Sequence, residues 1–350
     1  MMWLTNKMRK MKQYDFNSTG IALCALLLLY FIFNISFADK SLLNRPKVQT
    51  FINHMVKDHH FDRTNLINIF KQVQIDNRIL QYMNKPLEKS TWPTYQALFV
   101  NHWRIEHGLK FWKQHEALLQ KAEKEYGVPA SIIVATLGIE TKYGKRMGDY
   151  RVIDSLSNIA FSSSSRAPFF RHELEQFLLL TREEHLDPLK VLGSYAGALG
   201  QPQFMPSSYR RFAVHFVKSD QIDLMHNTAN AIGSIANYYH QSGWQSHEPV
   251  ALSATISDAK RFKTYQTTSK KHFTLSEIEK FGIKPNQVNK GELKAKVITL
   301  PYHNQDKNEY WIGFHNFDVI KRYNASNLYA MSVYQLSQSI EALKGKSKHA

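Results

Sequence analysis

The chain has 350 residues, of which 43% are apolar, and it carries a formal net charge of +16. This length can form one large domain or two ordinary ones, and the composition excludes a disordered or low-complexity chain. A strongly basic surface attracts anionic polymers over long distances, so nucleic acid, an anionic membrane and a carboxylate-rich cell wall are the candidate partners.

The N-terminus has the layout of a secretory signal. An apolar run at 21–33 and the small residues Ser36 and Ala38 follow a basic segment, which contains Lys7, Arg9, Lys10 and Lys12. This order predicts a signal in residues 1–38 that is cleaved after Ala38, and therefore a periplasmic protein. The alternative is membrane association through residues 21–38 as an uncleaved anchor, because these 18 residues reach the lower limit for spanning a bilayer of ~30 Å.

Cysteine usage narrows the chemistry further. The only cysteine, Cys24, lies inside the predicted signal, so a chain cut after Ala38 contains no thiol. This excludes disulfides, a cysteine nucleophile and cysteine-ligated zinc. Leu23 stands where a lipoprotein signal needs a small residue, so a lipid anchor on Cys24 is not expected.

Hydrophobic periodicity predicts a mainly α protein. Residues 41–126 are expected to be helical, with the clearest apolar spacing over 109–122. The sequence Gly127-Val128-Pro129 interrupts this pattern and starts a helix over 129–142, for which Gly144 is a suitable C-terminal cap. Further helices are predicted at 167–184, 228–241 and 326–343. Short strands, separated by lysine-rich stretches, are predicted as a small β-containing insertion at 250–257, 294–300 and 310–314.

Glu140 is the leading candidate for a catalytic residue. Ile133, Leu137 and Glu140 are spaced i, i+4, i+7, which puts a carboxyl group on an apolar helix face near the helix C-terminus. Burial and the negative end of the helix dipole would both raise the pKa of this carboxyl. A protonated carboxylic acid is what glycosidic bond cleavage requires. The alternative is a solvent-exposed glutamate, or one paired with Lys142 or Lys145.

A second segment, residues 193–209, is dense in glycine, short hydroxyls, amides and aromatic residues. Such a loop lets backbone and amide groups approach a polar ligand closely, and its side chains suit sugar hydroxyls and acetamido groups. The alternative is an ordinary turn. The sequence contains no helical zinc motif, phosphate loop or dinucleotide motif, so no cofactor is expected.

Four ordered segments together resemble the lytic murein transglycosylase B family. The first contains the run Gly138-Ile139-Glu140-Thr141-Lys142-Tyr143-Gly144 after Gly127-Val128-Pro129. The others are residues 193–209, 231–244 and 322–331. The resemblance extends over nearly all of the chain from Phe51 to Leu343.

The resemblance implies a lysozyme-like helical core with a deep groove, and a particular reaction. Family members break the bond between N-acetylmuramic acid and N-acetylglucosamine without adding water. The muramic 6-hydroxyl closes onto C1 and leaves a 1,6-anhydro end. By the family match, Glu140 serves first as acid and then as base, while the acetamido group of the substrate stands in for a second carboxylate.

The resemblance also assigns roles in substrate binding. Ser194 and Gln203 are implied to hold the sugar near the scissile bond, and Arg166 suits the acidic peptide stem. The implied groove-lining tyrosines are Tyr95, Tyr238, Tyr323 and Tyr329. For each tyrosine the alternative is plain core packing.

Three departures from the family pattern stand out. Ser165 replaces a second arginine beside Arg166, so peptide contacts should be weaker, and Phe169 replaces a groove tyrosine. Some members also have a calcium loop, which matches residues 215–223 here. Two of its acidic positions are His215 and Ser219, and the loop gains a lysine. Calcium needs several oxygen ligands, so no metal site is predicted, and the acids Asp220 and Asp223 are expected to be surface residues.

Together, pattern and resemblance predict a sequence of regions. These are a signal or anchor (1–38), an N-terminal helical region (39–126), a catalytic core (127–247), a small β-containing region (248–316), a C-terminal segment and helix on the core (317–345) and a tail (346–350).

Three functions remain open from the sequence. The first is a lytic transglycosylase that acts as a monomer on peptidoglycan glycan strands. The second is a lysozyme-like hydrolase that uses water, with Asp154, Glu173 or Glu175 as a second carboxylate. The third is a non-catalytic wall or nucleic-acid binder, although the secretion signal argues against nucleic acid as a partner.

Overall fold

The structure is a computed structural model, and it describes residues 42–83, 90–218, 221–268, 272–287, 293–303 and 307–347. The predicted signal, Cys24 and the loop positions Ser219 and Asp220 lie outside the described residues. Within the described ranges, no helix has both the length and the apolar character needed to cross a membrane.

The chain divides into two compact units, and the first ends at Ile75. After a short 3-10 helix, this unit contains helices α1 (Pro46–His59) and α2 (Arg63–Lys71). Proline occupies the first turn of α1, and the Asp62 side chain caps α2 by accepting a hydrogen bond from the Asn65 backbone. The ring of Phe51 meets that of Phe70 edge-on at 5.9 Å, which joins the two helices.

The second unit, from Asp76 onward, is mainly helical. Its helices up to the sheet are α3 (Asn77–Met83), α4 (Trp92–Phe99), α5 (His102–Gln114), α6 (Glu116–Tyr126), α7 (Ala130–Thr141), α8 (Val152–Ala160), α9 (Ala167–Glu183), α10 (Pro206–Phe212) and α11 (Thr228–Gln241). Two short strands, β1 (Tyr150–Arg151) and β2 (Leu192–Gly193), pair antiparallel between these helices.

A five-stranded antiparallel sheet follows α11, with strand order β4-β6-β7-β3-β5. Its elements are β3 (Ala251–Ile256), α12 (Ala259–Thr267), β4 (Phe273–Thr274), α13 (Leu275–Lys280), β5 (Ile283–Pro285), β6 (Lys294–Leu300) and β7 (Glu309–Gly313). One face of the sheet builds a separate small core around Phe262, Ile278 and Ile312. The chain then returns to helix as α14 (His315–Tyr323) and α15 (Asn327–Lys346). The prediction of a mainly α fold with a small β-containing insertion is confirmed.

Helix α7 is the centre of the second unit and packs against α5, α6, α11 and α15. Eleven of its twelve residues are buried, and Glu140 alone is partly exposed. A helix that is apolar all round belongs in a core. The predicted apolar stripe through Ile133 and Leu137 is therefore not a distinct face, because every side of α7 is covered.

Two details of the helix predictions are wrong, one the continuity of a helix and the other the residue that caps a helix. The single helix expected over 109–122 is divided at His115, which ends α5 and precedes α6, without a glycine or proline to signal the break. Helix α7 ends at Thr141, and the left-handed residue after it is Lys142 rather than Gly144. Tertiary contacts fix this ending, because the Thr141 hydroxyl donates to the Gln201 carbonyl at 2.9 Å.

Candidate active site

Glu140 projects from the C-terminal turn of α7 and meets a residue from the far end of the chain. Its Oε1 accepts a hydrogen bond of 2.6 Å from the phenol of Tyr329, which lies in the first turn of α15. Tyr329 is only 3% exposed, whereas Glu140 is partly exposed. The arrangement is a carboxyl group at the edge of a buried helix, held by a buried phenol.

A cluster of tyrosines surrounds this pair. The rings of Tyr323 and Tyr329 are stacked with centroids 6.2 Å apart, and Tyr238 and Tyr239 lie 4.7 and 5.5 Å from Tyr323. The Tyr238 phenol donates to the Arg322 carbonyl at 2.6 Å. Three of the four predicted groove tyrosines are thus gathered in one cluster with Tyr239, which the sequence reasoning did not single out.

The phenols of this cluster stay protonated. Burial raises the pKa of Tyr323 and of Tyr329 well above the ordinary value of 10, and the nearby charge of Glu140 raises it further. At neutral pH the Tyr329 hydroxyl is therefore a permanent hydrogen-bond donor to Glu140.

Ser194 lies in a tight turn at the start of residues 193–209, the segment that is called the polar loop below. Its Oγ accepts hydrogen bonds from the backbone N–H groups of Ala196 (3.3 Å) and Ala198 (3.0 Å). A hydroxyl has two acceptor sites and one proton, so the two backbone donors fill the acceptor sites. Among the described residues no acceptor takes the proton of Ser194, which can therefore be donated to a ligand.

Gln203 lies in the left-handed region with φ of 52°. Its Nε2 donates to the carbonyls of Met147 (2.9 Å) and Gly200 (3.0 Å). Because both neighbours are carbonyl oxygens, the amide nitrogen must face them, and Oε1 is left to accept from elsewhere. These two hydrogen bonds fix the amide in a single orientation.

Two contacts connect the polar loop to the end of α7 and to the tyrosines. Thr141, next to Glu140, donates to the Gln201 carbonyl at 2.9 Å, and Tyr323 donates to the Pro202 carbonyl at 2.5 Å. Gln203 follows Gln201 and Pro202 in the chain, so these contacts bring the Gln203 backbone to the end of α7 that carries Glu140. Thr141 and Gln201 were missed as positioning residues because neither has a chemical signal of its own.

Arg104 is a further residue that the sequence reasoning missed. Its guanidinium is buried and donates from Nε to the Gly138 carbonyl (3.0 Å) and from Nη1 to the Leu98 carbonyl (2.5 Å). Burial lowers its pKa, and the Tyr143 phenol partly offsets this effect. Arg104 thus joins the C-terminal ends of α4 and α7, two residues before Glu140.

Tyr95 and Arg166 are the remaining residues that the family match implies for substrate binding. Tyr95 is 3% exposed on α4, with its ring 4.7 Å from that of Phe99. Arg166 is exposed at the start of α9, where its guanidinium lies over the rings of Phe169 and Phe170 at 5.7 and 5.1 Å. In the described part of the chain, no hydrogen bond links Arg166 to the Glu140 cluster.

Two of the three carboxylates considered as partners for Glu140 have structural roles of their own. Glu173 is 2% exposed, and its two oxygens accept hydrogen bonds from the backbone and hydroxyl of Ser207 at 3.0 and 2.7 Å. Asp154 is paired with the Arg151 guanidinium at 2.6 and 2.9 Å. Glu175 is partly buried on α9.

The described part of the calcium-like loop does not offer a calcium ligand set. Asp223 Oδ1 accepts from the backbone N–H groups of Met225 (2.8 Å) and His226 (2.9 Å), and its Oδ2 lies 3.1 Å from the His226 ring. His215 and Lys218 are exposed, and neither supplies an oxygen. Calcium binds through six to eight oxygen ligands, so these residues do not fit it.

Comparison with known proteins identifies the family. A family profile of the transglycosylase SLT domain matches residues 44–338. The chain is 36% identical over 317 residues to the membrane-bound lytic murein transglycosylase B of Escherichia coli K12, which covers 88% of this chain and 86% of that protein. The predicted resemblance to the lytic murein transglycosylase B family is confirmed.

Two solved structures share the fold. The soluble lytic transglycosylase SltB1 from Pseudomonas aeruginosa is 40% identical, with a TM-score of 0.77 over 86% of this chain and 100% of that one. The Escherichia coli lytic transglycosylase Slt35, solved in complex with calcium, is 37% identical, with a TM-score of 0.77 over 86% of this chain and 94% of that one. The match across 44–338 and these relatives show that this chain belongs to the transglycosylase SLT domain family.

Proposed function

We propose that this chain is a peptidoglycan lytic transglycosylase that cleaves the β-1,4 bond between N-acetylmuramic acid and N-acetylglucosamine. The single observation that carries the proposal is the 2.6 Å contact between Glu140 and Tyr329. The chain belongs to the family because the family profile matches residues 44–338 and the Escherichia coli relative is 36% identical over 317 residues. It supports Glu140 as the one group that moves protons in the reaction.

The proposed reaction has two proton transfers. In the first, Glu140 donates a proton to the bridging oxygen as the bond from that oxygen to C1 of the muramyl unit breaks. The acetamido oxygen of the same sugar stabilises the positive charge at C1. In the second, the Glu140 carboxylate takes the proton from the 6-hydroxyl as its oxygen bonds to C1, which yields the 1,6-anhydro end.

Tyr329 supports this cycle from the side of Oε1. Its phenol stays protonated, so it can donate to Glu140 whenever the carboxylate is formed. A fixed donor stabilises the charged form that appears after the first proton transfer, without any reorganisation at that moment.

The substrate contacts are part of the proposal. Ser194 has a hydroxyl proton to give, and Gln203 has an amide oxygen to accept with, so together they can bind hydroxyl and acetamido groups of one sugar. We assign to the groove wall beside it the four tyrosines implied by the family match, which are Tyr95, Tyr238, Tyr323 and Tyr329. Arg166 is exposed and would form a single ion pair with a carboxylate of the peptide stem.

The water-using alternative is less well supported. Hydrolysis by the usual pair of carboxylates needs a second one facing the sugar. Asp154 and Glu173 are held by Arg151 and Ser207, respectively. We therefore favour the intramolecular 6-hydroxyl over water as the acceptor.

We further propose an envelope location for a monomeric protein without a cofactor or bound calcium. The basic and apolar order of residues 1–38 and the membrane-bound description of the Escherichia coli relative support that location. Peptidoglycan glycan strands are then the partner, and nucleic acid is not.

Digestion of purified murein tests the proposal. The wild-type protein should release products with anhydro ends, which mass spectrometry separates from reducing ends because the latter are heavier by one water. Glu140→Gln should release neither, while the control Glu279→Gln, which changes an exposed acid on α13, should act like wild type. Reducing ends from the wild type would favour the hydrolase, and full activity of Glu140→Gln would remove Glu140 from the mechanism.

A further inference from the structure

A cavity of about 320 Å³ lies between the sheet and α15. Among the described residues that line it no side chain is charged, although 21% of the whole chain is. The lining residues that matter here are Ser253, Trp311, Tyr334, Gln335, Gln338 and Ser339. A concave, uncharged site of this size suits a small neutral ligand.

The cavity is separate from the Glu140 cluster. Successive residues of an α-helix are about 100° apart, so Tyr334 and Gln338 lie on the face of α15 roughly opposite Tyr329. On the sheet side, Ser253 and Trp311 are cross-strand partners in β3 and β7, so their side chains share one face. A sugar bound in this cavity would therefore be a different sugar from the one that is cleaved at Glu140.

The aromatic wall of the cavity is held rigidly. The Trp311 indole N–H donates to Glu309 Oε1 at 2.6 Å, and the Trp92 indole donates to Glu309 Oε2 at 2.9 Å. The Tyr334 ring meets Trp311 at 88° and 6.1 Å, and its phenol donates to the Ala251 carbonyl at 3.0 Å. A wall that is already ordered loses little conformational entropy when a ligand packs against it.

Two amide side chains of the cavity come from α15. Gln335 Oε1 accepts from Gln96 Nε2 at 2.7 Å, which orients the amide of Gln335 and leaves its own nitrogen as a donor. Gln338 is exposed, and no hydrogen-bond partner for its side chain is found in the described part of the chain. The cavity therefore combines an apolar ring surface with amides that both donate and accept.

We propose that this cavity binds an N-acetylglucosamine unit of a glycan strand other than the unit cleaved at Glu140. The apolar face of a pyranose packs on an aromatic ring, and amides pair with hydroxyl and acetamido groups. The lining offers no cation, so it does not match a muramyl unit with the carboxylates of its peptide stem. The inference deepens the proposed function and depends on it for the identity of the strand.

The binding test uses the full-length protein, labelled with nitrogen-15 on its tryptophans and titrated with chitobiose. The indole resonance of Trp311, assigned by its loss in Trp311→Phe, should shift on titration in wild type and equally in Glu140→Gln. Gln338→Ala should weaken this response several-fold, whereas Gln120→Ala, an exposed glutamine on α6, should not. A Trp311 resonance that ignores chitobiose, or that responds only to a peptide-stem fragment, would overturn the inference.

The functional test compares insoluble sacculi with short soluble muropeptides. Trp311→Ala and Gln338→Ala should weaken retention on sacculi, about tenfold for the tryptophan, as expected when one well-packed aromatic contact is lost. Turnover of short substrates should be unchanged. If the wild-type protein does not cleave murein but its Trp311 resonance shifts with chitobiose, only the proposed function is contradicted. If the wild-type protein cleaves murein but its Trp311 resonance does not shift, only this inference is contradicted.

Discussion

The phenol of Tyr329 donates a 2.6 Å hydrogen bond to Glu140, a residue 189 positions earlier in the chain. The carboxyl group and its donor come from the last turn of α7 and the first turn of α15. Because Ser326 caps α15 by accepting from the Leu328 and Tyr329 backbone, the start of this helix and the phenol are fixed together. The proposed acid is therefore complete only when the C-terminal helix is docked.

We predict that Tyr329→Phe lowers kcat for strand cleavage about 10- to 100-fold and leaves KM nearly unchanged. A hydrogen bond to a charged group contributes about 1.5–3 kcal/mol, and this one is needed most when Glu140 has given up its proton. The ring should keep its stacking on Tyr323, so folding is preserved. Steady-state release of anhydro ends is the measurement.

Tyr265→Phe is the matched control for this experiment. Its phenol accepts from the Val297 backbone at 2.8 Å, inside the small sheet region and away from Glu140. That variant should cleave murein at the wild-type rate. If Tyr329→Phe were equally active, the phenol would have no part in the reaction.

We predict that Arg104→Ala lowers both the free energy of unfolding and kcat. The substitution removes a buried guanidinium that donates to the Gly138 and Leu98 carbonyls. The Leu98 carbonyl keeps the Asn101 side-chain amide as a donor at 2.9 Å, whereas the buried Gly138 carbonyl loses the guanidinium, at a cost of about 1–3 kcal/mol. Because the end of α7 is then less firmly anchored, the Glu140 carboxyl should be held less precisely, which lowers kcat. Arg104→Lys should recover part of both quantities, because one ammonium can reach one carbonyl but lacks the planar fork.

Urea unfolding and kcat are measured on the same preparations of each variant. The control is Arg78→Ala, since Arg78 is exposed and its pairing with Asp76 is at the surface, where the unfolding free energy should hardly change. A normal kcat in a destabilised Arg104→Ala would restrict Arg104 to a structural role.

The local part of this fold could be read from the sequence. Helix α7 begins after Pro129, as the proline predicts, and helices over 167–184 and 228–241 appear nearly at their predicted bounds. Glu140 was found from its motif and its place in an apolar helix. These features depend on residues a few positions apart, which is the range over which periodicity and capping act.

Features that depend on distant residues could not be read in this way. The break at His115 has no local breaker, and helices α12 and α13 are too short and polar to show a clear period. Arg104 was not singled out, because its contact with the Gly138 carbonyl joins residues 34 positions apart in the chain. The Tyr329 partnership was implied only as a groove position, because no spacing rule relates residues 189 apart.

We predict that calcium does not stabilise this protein. The Asp223 oxygens already accept from its own turn, and His215 and Ser219 occupy two loop positions where the family resemblance implies acidic residues. A site with Kd near 10 µM would add about 2.7 kcal/mol at 1 mM calcium and raise Tm by roughly 4 °C. Thermal melts with 1 mM calcium and with EDTA should instead coincide.

A double variant, His215→Asp with Ser219→Asp, is the positive control for the calcium experiment. It returns two carboxylates to the loop and should introduce a calcium-dependent rise in Tm if the loop backbone is still suited to the ion. A calcium-dependent rise in the wild type would show that the loop binds the ion with the ligands it has.

We predict that the protein loses stability steeply above pH 10, and that Tyr239→Phe reduces the loss. Burial raises the pKa of Tyr239 far above its ordinary value of 10, and its phenol pairs with the Thr136 hydroxyl at 2.9 Å. In the unfolded chain the phenol ionises near pH 10, whereas in the folded chain it keeps its proton. The stabilisation is therefore fully present below pH 10 and declines as pH rises, by about 1.4 kcal/mol per pH unit for each such phenol.

Urea unfolding between pH 7 and pH 11 measures this effect. At pH 7, Tyr239→Phe should be about 1 kcal/mol less stable than wild type, because the bond to Thr136 is lost. The deficit should shrink above pH 10, since phenylalanine has no proton to release on unfolding. Thr136→Val breaks the same bond but keeps the phenol, so its curve should stay parallel to that of wild type. Parallel curves for wild type and Tyr239→Phe would mean that this phenol ionises in the folded protein.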